Sequence, residues 1–234
     1  AENISSNKVK NISFEVHAGE ILGFAGLVGA GRTETAKAIL GIDKRTEGEI
    51  YVDGRKVHIN DPAEAYAAGI GYIPENRREE GIIPLQTVRF NTSLKVLDKF
   101  IHGLSVDKKK ERSITQTYID RLHIKTPSQL ARLQNLSGGN QQKVIIGSWL
   151  ATDPKILIMD EPTRGIDVGA KAEIYALMNR LAQEGMAIIM ISSELPEIIN
   201  MSDRIVVMRG GEISRVLDRE EATQEEIMKY AVNI

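Results

Sequence analysis

A glycine-rich segment between a predicted strand and a predicted helix constrains this sequence more than any other feature. The apolar run from Ile21 to Ala25 is typical of a buried strand, and a helical pattern follows from Thr35 to Leu40. Glycines between them allow successive N–H groups to point at phosphate oxygens, and the helix start adds its own free N–H groups. The sequence therefore predicts a phosphate-binding loop. Its residues are Gly26, Leu27, Val28, Gly29, Ala30, Gly31, Arg32, Thr33 and Glu34.

The loop departs at one position from the pattern G-x-x-x-x-G-K-[ST] of nucleotide-binding loops. Arg32 stands where the pattern has lysine. Its planar guanidinium is wider than an ammonium group and less free to fit between β- and γ-phosphates. Thr33 provides the hydroxyl that contacts the magnesium ion of a bound nucleotide. A plain glycine turn is the alternative, so the rest of the chain must decide.

Composition and charge narrow the class of protein. The 234 residues are 42% hydrophobic, which is enough for a sizeable core. A net charge of −2 provides no general basic field for nucleic acid or anionic lipid, and the absence of cysteine excludes disulfides and thiolate metal sites. The sequence has no run long enough to cross a bilayer, no signal peptide and no initial methionine. We therefore expect a processed chain or part of a longer one, without direct membrane insertion.

Hydrophobic periodicity predicts an α/β domain with a helical insertion. Unbroken apolar runs at 156–159 and 187–191, with a helix at about 170–183 between them, are typical of parallel strands buried on both faces. From about 87 to 151 helical periodicity replaces the strand pattern. We expect an α/β core of residues 1–86 and 152–234 and a helical lobe of residues 87–151. Further strands are predicted at 12–16, 21–25, 48–52, 70–73, 205–208 and 211–213, and a last helix at 220–231.

Two acids follow one of these predicted buried strands. Asp160 and Glu161 come directly after Ile156–Met159, at the carboxyl end of the strand, which is where ligands bind in open α/β sheets. We expect Asp160 to hold Mg²⁺ together with Thr33, and Glu161 to orient and polarise the attacking water. The alternative is a pair of solvated acids at a strand end.

A third motif lies in the predicted helical lobe. A serine and two glycine amides begin a helix there, so they form an outward-facing anion site. A simple helix cap would explain the serine but not the double glycine and the polar residues after it. The motif consists of Leu136, Ser137, Gly138, Gly139, Asn140 and Gln141.

Together these motifs resemble those of the ATP-binding-cassette (ABC) ATPases. The segment 136–140 is similar to the LSGGQ signature, with Asn140 at the last position, and 162–167 resembles the segment that ends at the D-loop aspartate, here Asp167. The resemblance covers nearly the whole chain. It implies a P-loop NTPase core with a mixed, largely parallel sheet, an antiparallel β subdomain and a helical lobe, and an ATPase that uses ATP and Mg²⁺. It also implies a partner cassette, paired head to tail so that each signature covers the partner's nucleotide.

Within the family, the chain resembles the second cassette of two-cassette ATPases that drive monosaccharide importers, such as those for ribose or galactose. The resemblance implies transmembrane permease partners and a cytoplasmic position, peripheral on the inner face of the membrane. It does not indicate the sugar. The segments that carry it are 29–34, 74–78, 136–143 and 161–171.

Three positions depart from the family pattern. Arg32 replaces the lysine, Glu75 stands at the Q-loop glutamine and Ser193 at the switch histidine. A carboxylate near a polyphosphate is repelled, and loss of the histidine removes a donor that stabilises transition-state charge. The signature, Asp160 and Glu161 are intact. We expect an asymmetric pair in which this signature completes the partner's site, while the chain's own loop binds nucleotide loosely and turns over slowly.

Two other functions stay open at this stage. A soluble cassette ATPase acting on ribosomes or nucleic acid would carry basic arms, whereas Lys108–Lys110 is followed by Glu111 and is typical of a solvated helix face. We therefore expect no nucleic-acid partner. A non-hydrolysing scaffold, in which nucleotide only gates dimerisation, would share every motif with the transport ATPase.

Overall fold

The computed structural model describes residues 1–102 and 105–232. The strands are β1 (Glu2–Ser5), β2 (Ile21–Gly26), β3 (Glu47–Val52), β4 (Arg55–Val57), β5 (Ile70–Ile73), β6 (Ile101–His102), β7 (Ser105–Val106), β8 (Ile156–Asp160), β9 (Ala187–Ile191), β10 (Arg204–Arg209) and β11 (Glu212–Asp218). The α-helices are α1 (Arg32–Ile39), α2 (Pro62–Ala67), α3 (Val88–Ser93), α4 (Lys108–Arg121), α5 (Gly138–Leu150), α6 (Val168–Gln183), α7 (Leu195–Met201) and α8 (Gln224–Ala231). Arg77–Gly81 forms a π-helical turn, and Leu94–Phe100 and Leu133–Asn135 form 3-10 helices.

A six-stranded sheet forms the framework of the α/β part, with strand order β11-β10-β2-β9-β8-β5. Strands β10, β2, β9 and β8 run parallel, whereas β11 is antiparallel to β10. The predicted apolar runs are buried because the central strands are covered on both faces. Ile191 of β9 lies opposite Phe24 of β2 and Asp160 of β8, so the carboxyl ends of these three strands meet at one edge.

A second, antiparallel sheet has the order β1-β3-β4. Its hairpin turns at Asp53 and Gly54, both of which have positive φ, as the tight turns favoured in hairpins require. The mixed, largely parallel sheet, the antiparallel sheet and the helices together confirm the fold class that the sequence predicts. Among the described residues, no helix is both long and apolar enough to cross a membrane.

The chain divides into two compact units. Unit 1 contains the described residues of Ala1–Tyr72, Lys155–Glu161 and Met178–Ile234, and unit 2 those of Ile73–Pro154 and Pro162–Leu177. In unit 2 a cluster of Val96, Phe100 and Ala151 packs against partly buried side chains that include Ile114 and Tyr118. The range 87–151 lies within this unit, and it also contains the short pair β6–β7, which the helical pattern did not predict.

The strand predicted at 12–16 is wrong. Ile12 makes a single bridge to Ile4, and no strand continues from it. Side chains replace the ladder, because the Asn3 N–H donates to Ser13 Oγ at 2.8 Å and the Asn11 N–H to Ser5 Oγ at 3.0 Å.

Two further observations concern the packing of Phe14 and the start of the last helix. Phe14 packs edge-on against Phe24 with ring centroids 5.1 Å apart. The last helix begins at Gln224 rather than 220, because the Thr223 hydroxyl caps it by accepting the Glu226 N–H at 3.1 Å.

Candidate functional site

The predicted phosphate-binding loop connects β2 to α1. Helix α1 begins after Gly31, whose φ of 103° places it in the left-handed region, and no side chain caps the first turn. The first N–H groups of α1 therefore keep their capacity to bind an anion. Within the loop the Ala30 N–H donates to the Leu27 carbonyl at 3.0 Å, and Val28 at its tip is 94% exposed.

Two of the loop glycines are required by close backbone approaches. A Cβ on Gly26 would lie 2.6 Å from the Met208 carbonyl oxygen, and one on Gly31 would lie 3.0 Å from the Gly211 Cα. Gly29, by contrast, has positive φ and open space around it. Because this position lacks a side chain and faces no protein atom, a ligand can approach the backbone there.

Arg32, which replaces the pattern lysine, is only 9% exposed. One of its terminal nitrogens donates to the Ser192 carbonyl oxygen at 2.5 Å, which ties the guanidinium to the residue after β9. Burial lowers the pKa of Arg32, while the negative charges of Glu161 and Asp160 act in the opposite direction. The guanidinium therefore already has a backbone partner and two acidic neighbours.

Asp160, at the end of β8, is fully buried and incompletely paired. Its Oδ2 accepts a hydrogen bond from the Tyr72 hydroxyl at 3.4 Å, whereas Oδ1 is buried without any partner. Burial raises the pKa of Asp160 to about 6, and Glu161 acts in the same direction. Hydrogen bonds from the Thr33 and Tyr72 hydroxyls oppose this rise. The structure thus brings Thr33 and Asp160 together, as the sequence predicts for a shared metal ion.

The donor set suits a nucleotide-bound magnesium ion. An orphaned carboxylate oxygen beside a threonine hydroxyl is typical of sites in which Mg²⁺ takes one or two protein ligands and completes its shell with phosphates and water. Across residues 1–102 and 105–232 there is no cluster of three or more His, Cys, Asp or Glu side chains that could hold a metal by themselves. The residues present therefore fit an ion that arrives with its nucleotide.

Glu161, predicted to polarise the attacking water, lies beside the residue at the switch position. The hydroxyl and the N–H of Ser193 act on the pKa of its carboxyl as hydrogen-bond donors. Burial raises the pKa of Glu161, while these hydrogen bonds and the Arg32 charge oppose the rise. Glu161 also has a φ of 48°, an unusual backbone conformation for a residue other than glycine. The three residues Arg32, Glu161 and Ser193 are thus in one network.

The predicted signature begins helix α5 in unit 2. Ser137 precedes the helix, is exposed, and makes no side-chain bond to the helix N–H groups. Asn140, the departure from the family pattern, donates to Ser137 Oγ at 2.8 Å and accepts from the Lys125 N–H at 2.7 Å. Because Ser137 accepts this bond, its own hydroxyl hydrogen is left to donate elsewhere. The rest of the motif anchors the helix, since Leu136 and Gln141 are buried.

The two signature glycines pack against the segment that follows the acids. A Cβ on Gly139 would lie 2.6 Å from the Ala170 Cβ, so only glycine fits there. A Cβ on Gly138 would lie 3.1 Å from the Gly165 carbonyl oxygen. Asp167, predicted as the D-loop aspartate, accepts the Ala170 N–H at 2.9 Å at the start of α6.

Glu75, at the Q-loop position, forms an ion pair with Arg164 within unit 2. Both side chains are partly exposed. Arg164 therefore places a positive charge beside Glu75, a pairing that the sequence alone does not indicate.

The sequence did not indicate several residues that contact the predicted site residues. Tyr72 and Ser192 bind Asp160 and Arg32 respectively, and Arg164 pairs with Glu75. The position of Tyr72 on a strand before the Pro74–Arg78 motif was the only available signal for it. A contact through the backbone carbonyl of Ser192 leaves no trace in residue type.

Comparison with known proteins identifies the family. The family profile described as ABC transporter matches residues 9–164. The chain belongs to the ABC transporter family. It is 55% identical over 227 residues to the ribose import ATP-binding protein RbsA of Clostridium tetani, which covers 97% of this chain and 45% of that protein. It is 52% identical over 234 residues to the galactose/methyl galactoside import ATP-binding protein MglA of the same organism. That match covers 98% of this chain and 46% of that protein.

Solved structures agree on the fold. A nucleotide-free ATP-binding cassette from an ABC transporter superposes with a TM-score of 0.82 at 23% identity, covering 100% of this chain and 98% of that one. A dimeric ATP-binding cassette in a post-hydrolysis state, bound to ADP and Pi, superposes with a TM-score of 0.78 at 24% identity. The match covers 93% of this chain and 97% of that one. The resemblance to the ABC family is confirmed. This ABC cassette spans less than half the length of the sugar-import relatives it matches.

Proposed function

We propose that this ABC cassette binds and hydrolyses ATP in order to drive import of a monosaccharide through membrane permease subunits. Its relatives are named as ribose and galactose import ATP-binding proteins. Nucleotide binding is supported by one observation: Thr33 lies beside the buried Asp160, whose Oδ1 has no hydrogen-bond partner, next to a helix start that no side chain caps. The residues of the phosphate-binding loop, Gly26 to Glu34, would cradle the triphosphate through their N–H groups.

In this proposal Thr33 and Asp160 hold the Mg²⁺ ion of the nucleotide. When bound, the ion neutralises negative charge on the phosphate oxygens. Binding would also give Asp160 Oδ1 the partner it lacks. Because burial of a charge without compensation is unfavourable, the ligand-free site is primed for a cation.

The chain's own site turns over slowly in this account. The hydroxyl and the N–H of Ser193, which act on the Glu161 carboxyl, would compete with a water molecule for it. Arg32 is bound to the Ser192 carbonyl, so its charge is less available to phosphate than that of a free lysine. Ser193 also lacks the ring donor that a histidine would provide. These contacts together support loose binding and weak hydrolysis.

The signature serves the partner's site. The exposed Ser137 hydroxyl has a hydrogen to donate, and the N–H groups of Gly138 and Gly139 begin a 13-residue helix. We infer that a second cassette pairs head to tail with this one, so that the signature covers the nucleotide on the partner's loop. Asp167 would lie in the D-loop of the same interface, and Glu75 in the Q-loop.

We also propose the wider setting. The chain would be the second cassette of a longer two-cassette protein, with an α/β core of 1–86 and 152–234 and a helical lobe of 87–151. That protein would be cytoplasmic and bound to permease subunits at the inner face of the membrane, with no nucleic-acid partner. The lengths of the sugar-import relatives, of which this chain spans less than half, support the two-cassette organisation.

Transport by the full-length protein with its permease tests the asymmetry. Ser137→Arg places a bulky side chain at the partner's nucleotide and should stop sugar uptake, whereas Glu161→Gln should reduce it far less. Equal expression and membrane association of both variants is the control. Greater damage from Glu161→Gln would show that the chain's own site is the main catalytic one.

A second measurement separates the transport ATPase from a non-hydrolysing scaffold. Phosphate release by the chain is compared with that of its Glu161→Gln variant. A slow rate that falls in the variant supports hydrolysis by this site, and equal rates in both support the scaffold.

A further inference from the structure

Ser192, directly after β9, connects a buried cation to a buried anion. Its carbonyl oxygen accepts a hydrogen bond from the Arg32 guanidinium at 2.5 Å. Its hydroxyl donates to Glu197 Oε2 at 2.7 Å and accepts the Glu194 N–H at 3.0 Å. Arg32, Ser192 and Glu197 are all buried, and all three belong to unit 1. Hydrogen bonds through one serine therefore link the Glu197 carboxylate to the arginine of the phosphate-binding loop.

The orientation of Ser192 depends on Glu197. Glu197 lies in the first turn of α7, where its own N–H donates to the Glu194 carbonyl at 2.9 Å. Because the Ser192 hydroxyl both donates and accepts a hydrogen bond, its side chain is fixed from two sides, and the direction of its carbonyl is restrained as a result. A hydrogen bond to a carboxylate is stronger than one between neutral groups. Glu197 therefore provides the stronger of the two anchors.

Glu197 is also close to the predicted catalytic acid. Burial raises the pKa of Glu161, and the negative charge of Glu197 adds to that rise. The Glu161 N–H donates to the carbonyl of Ile191, the residue directly before Ser192, at 2.8 Å. Burial of a carboxylate is unfavourable unless it is hydrogen-bonded, which favours retention of the bond between Glu197 and Ser192. The contact that holds Arg32 thus involves the same short segment that contacts Glu161.

We propose that Glu197 is a positioning residue of the nucleotide site, which restrains Arg32 on the Ser192 carbonyl and so keeps the guanidinium from the phosphates of a bound nucleotide. The inference rests on the proposed function, because it takes the phosphate-binding loop to hold Mg–ATP. When the restraint is released, the guanidinium is free to bind two phosphate oxygens at once. Glu197 thus weakens nucleotide binding at this loop without contacting the nucleotide.

Calorimetry with Mg²⁺ and AMP-PNP, an ATP analogue that is hydrolysed slowly, tests the proposal on the 234-residue chain. Glu197→Ala should tighten binding about threefold to tenfold, the effect of freeing one charged hydrogen-bond donor. Glu197→Gln keeps an oxygen that can accept the Ser192 hydroxyl, so its affinity should stay within about twofold of the original. The matched control is Glu225→Ala, which removes an exposed acid from the first turn of α8 and should leave the affinity unchanged.

The same substitution in an Arg32→Lys background separates positioning of the arginine from a merely structural role. That background has no guanidinium to release, so Glu197→Ala should not tighten binding further there. An equal gain in both backgrounds would overturn the role of Glu197 while the proposed function stands. The same holds if Glu197→Ala brings no gain, or if Glu197→Gln gains as much as Glu197→Ala.

Two further outcomes are decided by the same titrations. If the unsubstituted chain does not bind AMP-PNP with Mg²⁺, the proposed function fails together with this inference. If Glu197→Ala unfolds the protein, Ser192→Ala takes its place, because it removes the linking hydroxyl and keeps the backbone carbonyl. It should give the same gain with Arg32 present and none with lysine at that position, and a gain in both would overturn the proposal.

Discussion

Asp160→Asn should stabilise the ligand-free chain at neutral pH. The buried carboxylate has an unpaired Oδ1 and a pKa of about 6, against an ordinary value of 3.8. A difference of about 2 units corresponds to about 3 kcal/mol by which ionisation opposes folding. Because the folded pKa is raised, this penalty is absent below pH 3.8, grows as the pH rises to 6, and is complete above that. The amide cannot ionise and escapes it.

Urea unfolding in EDTA, without nucleotide, measures the effect between pH 5 and 8. At pH 8 the free energy of unfolding of the variant should be higher by up to about 3 kcal/mol. In a thermal melt, the same difference corresponds to a rise in unfolding temperature of roughly 6–12 °C for a chain of this size. The advantage should shrink as the pH falls toward 5. Asp98→Asn, at an exposed position, is the control and should change little. A destabilised Asp160→Asn at pH 8 would refute the reasoning, because the carboxylate would then be favourably paired.

Three further predictions concern contacts seen in the two units. Gly139→Ala should lower the free energy of unfolding by about 1–3 kcal/mol, because its Cβ would lie 2.6 Å from the Ala170 Cβ. Gly169→Ala has room for the added methyl group and should lower it less. Equal losses for the two variants in urea titrations would contradict this packing. Lys143 pairs with Glu173 at 2.6 Å and lowers the pKa of that carboxyl, so the pair should stabilise the chain above pH 4.5 and lose its effect as the pH falls further. Lys143→Met should abolish that acid-dependent part, and an unchanged pH profile would argue against it. Arg32→Lys should tighten binding of Mg–ATP about tenfold, because an ammonium is not committed to the Ser192 carbonyl; weaker binding, measured by calorimetry, would mean that the guanidinium itself holds phosphate.

Local patterns predicted the parts of the fold that local physics determines. The run before Gly26 and the runs at β8 and β9 are strands because continuous apolar sequence needs burial on both faces. The strand predicted at 12–16 failed because serine hydroxyls six and ten residues away in the chain replaced its ladder bonds. Alternation of apolar and polar residues cannot reveal which backbone groups will find a side-chain partner.

In the candidate site, too, the sequence indicated individual residues but not their partners. Sequence identified Arg32, Glu75 and Ser193 as departures, but their partners depend on contacts between distant residues. Arg32 binds a carbonyl 160 residues away, and Glu75 pairs with an arginine 89 residues away. The repulsion between the Glu75 carboxylate and phosphate stays a prediction, to which the structure adds that Glu75 pairs with Arg164.

The central claim is that Thr33 and Asp160 hold one metal–nucleotide together. A double-mutant cycle on ATP affinity, with and without Mg²⁺, tests it directly by using Thr33→Val and Asp160→Asn. We predict that each change removes most of the Mg²⁺-dependent gain in affinity, and that the double variant loses little more than either single one. Losses that simply add, or a gain that survives in Asp160→Asn, would contradict the claim that both residues act on the same ion.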